Sequence, residues 1–140
     1  MLSRVNIQAV LLCFSCVLWA CKSDAGASAR LPTMATTICD ATRKPMPPGG
    51  QRIVLRAEFI SDRLERSFLQ DNRCPRITVV PRDAPDVVKD SSYEEFSRIL
   101  NAHPLQVGLI MVHVEVYGTL KRDGRGYRMD IIRYIESTAK

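Results

Sequence analysis

One segment with a helical period stands in a chain whose other apolar patterns are those of strands, and its place in the order limits the folds open to it. Tyr93, Phe96, Ile99 and Leu100 recur at the spacing of a helix that buries one face. Ser91 or Ser92 can accept the first free amides, and Glu94 and Glu95 follow three residues on as two overlapping capping boxes. Those glutamates suit the positive end of a helix and are read as helix chemistry rather than catalysis. Asn101 to Pro104 ends the segment. Ahead of it the period is two: Ile53, Leu55, Ala57 and Phe59 form one face of a strand over Gln51–Ile60. Arg52, Val54, Arg56, Glu58 and Ile60 form the other. Ser67–Gln70 is a second strand, reached through a charged connector from Ser61 to Arg66. Ile77–Val80 is a third, stopped by Pro81 and followed by a loop with Pro85. After the helix, Val107–Tyr117 is too rich in β-branched residues for anything but a largely buried strand. A basic connector, Gly118 to Gly126, holds the turn pair Asp123-Gly124. It leads to a last strand, Tyr127–Ile135, with Met129, Ile131 and Tyr134 inward.

Three strands, a helix and two strands make a mainly β chain. That order matches the five-stranded Greek-key barrel called the OB-fold, β-β-β-α-β-β, with one helix between strands three and four. The chain also resembles a group of small exported bacterial proteins with an OB-like domain. The matching residues are Ile38-Cys39-Asp40, the run Gly50-Gln51-Arg52-Ile53-Val54-Leu55-Arg56, and Asp71-Asn72-Arg73-Cys74-Pro75. The resemblance covers most of residues 38–135 through short structural motifs. It implies a fold and a disulfide, and it brings no activity. Ile38–Thr42 begins a short helical turn, closed by the run Pro45-Met46-Pro47-Pro48-Gly49-Gly50.

The address is written at the other end. Ile7 to Ala20 is apolar apart from Gln8 and Ser15, and Arg4 precedes it. A span needs roughly 20 apolar residues, so this run reads as a secretory signal. Leu18-Trp19-Ala20-Cys21 resembles the lipobox of bacterial lipoproteins, although Trp19 stands where that family prefers a small or aliphatic residue. The resemblance implies cleavage before Cys21 and acylation of Cys21, with palmitate-type chains in the membrane. An ordinary cleaved export signal and an uncleaved anchor are the alternatives. Residues 1–20 are then signal peptide, 21–37 the acylated Cys and a flexible tether, and 38–140 the OB-like domain. Lys22, rather than Asp, after the Cys resembles lipoproteins sent on to the outer membrane. The expected location is the bacterial cell envelope, facing the periplasm.

Export sorts the cysteines. Cys13 and Cys16 leave with the signal, and Cys21 takes the lipid. Cys39 and Cys74 remain, an even pair in an oxidising compartment, where a disulfide is the default and two free buried thiols the alternative.

The chain carries a formal charge of +5, and about +4 once Arg4 leaves. Acidic residues are interleaved throughout, so the excess favours solubility and weak attraction to anionic surfaces rather than nucleic acid. His103 and His113 have no metal-site spacing. No nucleophile elbow or phosphate loop occurs, and Glu58, Asp62 and Glu65 alternate with Arg56, Arg63 and Arg66 as a solvated edge. No catalytic residue, metal or cofactor is expected. The expected surface is that of OB-folds, whose ligands meet strands two and three and the 1–2 and 4–5 loops. Arg63 and Arg66 stand in the first loop, and Lys121, Arg122, Arg125 and Arg128 in the second, flanked by Tyr117 and Tyr127. Guanidinium pairs well with phosphate or carboxylate. The expected role is a non-catalytic binding or accessory module for an anionic envelope polymer, a glycan or a protein partner. The alternative is an immunity-type lipoprotein inhibitor of an envelope-targeted toxic enzyme, and solubilising loop charges are the plainer reading of the same residues.

Overall fold

The computed structural model describes residues 34–102 and 108–140. Strands dominate, in a six-stranded sheet with two helices. Strand β1 (Ala35–Thr37) leads directly into helix α1 (Ile38–Arg43), whose N-cap Thr37 accepts from the Asp40 amide. Strands β2 (Gln51–Ser61), β3 (Ser67–Gln70) and β4 (Thr78–Val88) follow, then helix α2 (Ser91–Asn101) and the long pair β5 (Ile110–Asp123) and β6 (Gly126–Ala139).

The pairings close on themselves. β2 pairs antiparallel with β3 over Glu58–Ser61 and with β5 over its whole length. β3 passes to β4, β4 runs parallel to β6, and β6 returns antiparallel to β5. The result is a five-strand ring, with β1 as a sixth strand lying parallel beside Val54–Arg56. Residues 35–37, expected within a tether, are therefore part of the sheet.

The period-two faces are where the sequence puts them. Ile53, Leu55, Ala57 and Phe59 enter the core, joined by Leu69, Val79, Val112, Val114, Val116, Leu120, Met129 and Ile131. Each such buried side chain stabilises by about 1.5–3 kcal/mol relative to an exposed one. Two departures have a common cause in local pairing. β4 runs through Pro81 and Pro85 because β3 reaches only Thr78 and Val79. From Val80 onward β4 has β6 on one side and no ladder on the other, so a missing amide donor costs little there. The expected connector over Gly118–Gly126 is mostly strand, and Gly124 and Arg125 alone separate β5 from β6. Gly118 sits where the backbones approach closely, since a Cβ there would overlap the Asp130 carbonyl.

β6 carries two register shifts. Gly118 faces Ile131 and Tyr117 faces Arg133, so Ile132 is the extra residue; Ile135 is skipped likewise between Tyr134 and Glu136. The first of these bulges, at Ile132, turns both Ile131 and Tyr134 inward despite their odd spacing. Tyr134 then stacks on Phe96 of α2 at 4.3 Å between centroids, while Phe59 meets Phe96 edge-on at 5.0 Å. Its hydroxyl donates to Asp83 at 3.0 Å, and burial pushes the phenol well above its usual range. α2 begins one residue earlier than the capping boxes suggest, with Asp90 as N-cap in place of Ser91 or Ser92.

Candidate functional site

The two loops expected to act together stand at opposite ends of β2. Ser61, which opens the first loop, pairs with Ile110, whereas Gln51 pairs with Leu120 beside the β5–β6 turn. Eleven residues of strand separate them by about 30 Å. The first loop is a self-contained turn. One Asp62 oxygen accepts from the amides of Leu64, Glu65 and Arg66 at 2.9–3.0 Å. Those backbone bonds hold the Asp62 carboxyl below its usual range. Arg63 sits there with φ of 62°. Arg63 and Arg66 thus do not join the other cations. The tyrosines are not a platform either: Tyr127 packs against the core, and Tyr117 lies within β5 opposite Val54 and Arg133.

A different set of cations converges. Leu120 and Met129 point inward, so their neighbours Thr119, Lys121, Arg128 and Asp130 point outward. Pairing extends this outer lattice across four strands. Arg52 of β2 faces Thr119 of β5, Thr119 faces Asp130 of β6, and Asp130 faces Arg82 of β4. In the next outward row Lys121 faces Arg128, which faces Val80. Arg52 and Arg82 end a row about 14 Å long, three strand spacings across the sheet. A surface groove of about 350 Å³ lies over these residues, walled by Asp83–Asp86 and floored partly by Ile132.

The groove's charges are partly paired. Lys121 Nζ reaches Asp130 at 2.7 Å, and Arg128 Nε reaches its other oxygen at 3.0 Å. The Lys121 hydrogen bond, aided by the charge of Arg128, holds the Asp130 carboxyl below its usual range. Arg128 also meets Asp123 at 3.1 Å. Asp83 is engaged by Tyr134. Arg52 and Arg82 make no ion pair among the described residues, nor do Arg122 and Arg125 at the adjoining turn. Four cations, two of them without an ion pair among the described residues, thus surround the Thr119 hydroxyl in a lining that also holds Asp83, Asp86 and Asp130. Period two places Arg52 outward in the sequence, whereas Arg82 lies beyond Pro81, where the sequence pattern ends the strand.

Cys39 and Cys74 are joined, with Cα atoms 5.7 Å apart. Around the bridge, Arg73 ties the start of α1 to the turn before Cys74: its guanidinium donates to Thr37, and to Asp40 and Asp71 at 3.4 Å. Burial pulls Asp71 upward, but the Arg73 amide and guanidinium win and hold its carboxyl below the usual range. Asp71 Oδ2 lies 3.2 Å from Cys39 Sγ. A bonded sulfur has no proton to give, so this is a contact rather than a hydrogen bond. Cys39, Asp71 and Cys74 have ligand atoms within 4.8 Å of one another. Sulfurs bonded to each other offer no thiolate to a metal, which makes the cluster a staple.

At the far end of the outer face, His113 and Glu115 line an open groove of about 310 Å³ with Arg56 and Glu136. Glu115 is held by Arg56 at 2.9 Å. The buried Glu58 accepts from Lys140 at 2.8 Å and Asn72 at 3.2 Å, with His113 3.9 Å away. The Lys140 hydrogen bond chiefly keeps its carboxyl below the usual range. Glu58 and Glu115 are thus each paired with a cation. Cys21 and His103 lie outside the described residues, and among those described no helix is long and apolar enough to cross a membrane. No family model, no curated protein and no solved structure matches the chain.

Proposed function

We propose that this protein is a lipid-anchored lipoprotein of the bacterial envelope, facing the periplasm at the outer membrane. Its OB-like domain binds an anionic ligand in the groove over Arg52, Thr119, Asp130 and Arg82. The observation that carries the binding assignment is the four-strand row with, at each end, a guanidinium that makes no ion pair among the described residues. The strand order of the ring, with its parallel β4–β6 pair and a helix between β4 and β5, supports the OB-like reading. The lipobox-like Leu18-Trp19-Ala20-Cys21 supports the anchor. The role is read as binding rather than catalysis, since among the described residues the groove's Asp83 and Asp130 are held by Tyr134 and by Lys121 and Arg128, and no activated nucleophile stands beside them.

Guanidinium forks read carboxylate and phosphate oxygens bidentately, so the ligand class is a polymer or glycan bearing those groups. Titration calorimetry of the full chain with polyphosphate and with polygalacturonate tests this. Arg52→Ala with Arg82→Ala weakens binding by about tenfold or more, and unchanged affinity in that variant overturns the assignment.

A further inference from the structure

The groove and the chain's entry point share one end of the sheet. β1 runs parallel to β2 with Ala35 beside Val54, so the chain reaches Ala35 from the Arg52 side. Met34, at that side, is 84% exposed. The β5–β6 turn overhangs the same end: Gln51 pairs with Leu120, and the segment from Lys121 to Arg125 continues past it. A Cβ on Gly50 would touch the Lys121 side chain, which places that lysine over the start of β2. Arg52, Lys121, Arg122, Arg125 and Arg128 therefore stand at the end of the sheet where Met34 enters β1, and twelve residues of sequence lie between Cys21 and Met34. The opposite end carries the Asp62 turn with Arg63 and Arg66, and the Arg56–Glu115 pair lies midway between the two ends.

From this juxtaposition we infer that the basic end is a membrane-docking face, and that its occupant is the anionic headgroup layer of the bilayer holding the lipid anchor. The inference rests on the proposed anchor and names the anion that the groove meets first. Phosphodiester headgroups supply the oxygens that Arg52, Arg122 and Arg125 leave unmatched. Asp123 and Asp130 do not oppose the approach strongly, being paired to Lys121 and Arg128. Weak attraction per cation suffices, because the anchor already confines the domain near the surface and makes docking an intramolecular step. Exposed Met34 adds an apolar contact at the same level.

Trp19 is the sole tryptophan and leaves with the signal, so one introduced indole reports position cleanly. Met34 and Leu64 are 84% and 88% exposed and lie at the basic and opposite ends. The acylated full-length products of Met34→Trp and Leu64→Trp are reconstituted into vesicles containing brominated lipid, with phosphatidylcholine alone or with added phosphatidylglycerol. Docking gives roughly fivefold or greater quenching of the Met34→Trp protein with phosphatidylglycerol over phosphatidylcholine alone. The Leu64→Trp protein stays unquenched in both, and adding Arg122→Glu and Arg125→Glu removes the lipid dependence. Equal quenching in the two lipids, or equal quenching of the two reporters, overturns docking. If polyphosphate binding survives that result, the groove assignment stands and the membrane face alone is lost; if neither is seen, both fall. Absence of acylation on Cys21, read by mass, removes the anchor and the docking inference with it.

Discussion

Asp90 and Arg133 tie the start of helix α2 to strand β6. One carboxylate oxygen of Asp90 accepts from Arg133 Nε at 2.9 Å, and the other accepts from the amides of Ser92 and Tyr93 at 3.1 and 3.3 Å. A single side chain thus caps the helix and fixes it to the sheet near Tyr134. The Arg133 hydrogen bond, helped by those amides and opposed by slight burial, holds the Asp90 carboxyl below its usual range. Its contribution is therefore complete above the unfolded value of about 4 and is lost as pH falls through the lower folded value.

Asp90→Ala lowers the melting temperature by several degrees at neutral pH and flattens the acid limb of stability below about pH 4. Asp90→Asn keeps an acceptor for the amides and falls between the two. Circular dichroism melts across that pH range check the order. A melting point for Asp90→Ala equal to that of the parent contradicts the capping role.

Gly118 marks a close approach of β5 to β6. Gly118→Ala pushes a methyl group into the Asp130 carbonyl, inside the register shift between Tyr117 and Gly118. A cost of about 1–3 kcal/mol follows, read as a lower urea midpoint. Gly49→Ala, where nothing lies within 4 Å of the added carbon, leaves the midpoint almost unchanged. Equal midpoints for the two variants would rule out the steric account.

Much of this architecture is legible in the residues themselves. The alternation Ile53, Leu55, Ala57, Phe59 names the core face of β2, and Met129, Ile131 and Tyr134 name that of β6. Asp123-Gly124 marks its turn, with Gly124 at φ of 57°. What stays hidden is set by pairing rather than by pattern. Ala35–Thr37 is too short and too small to show a period, and β2 recruits it by parallel pairing. Pro81 and Gly118 look like strand breakers until the free edge of β4 and the close approach of β6 are known. The binding surface suffers most, because only the register of β2 against β5 shows that Arg63 and Arg66 stand far from Arg125. The same register brings Arg52 and Arg82 into one row, although thirty positions separate them in sequence.

The Cys39–Cys74 bridge closes a sequence separation of 35 residues. Replacing both cysteines by serine costs roughly 3–4 kcal/mol in the chain-entropy account. The protein still folds if the core outweighs that loss, with Arg73 keeping its contacts to Thr37, Asp40 and Asp71. Non-reducing peptide mass spectrometry of the purified protein finds the two segments linked. Two alkylatable thiols at these positions would show the staple open.

The groove assignment is tested most directly by where a small anion perturbs the backbone. In a titration of the isotope-labelled full chain with inorganic pyrophosphate, followed by amide chemical shifts, the changes concentrate at Arg52, Thr119, Asp130 and Arg82. The amides of residues 62–66, about 30 Å away along β2, stay still. Shifts centred on the Arg63–Arg66 turn, or spread evenly over every surface arginine, would contradict the site.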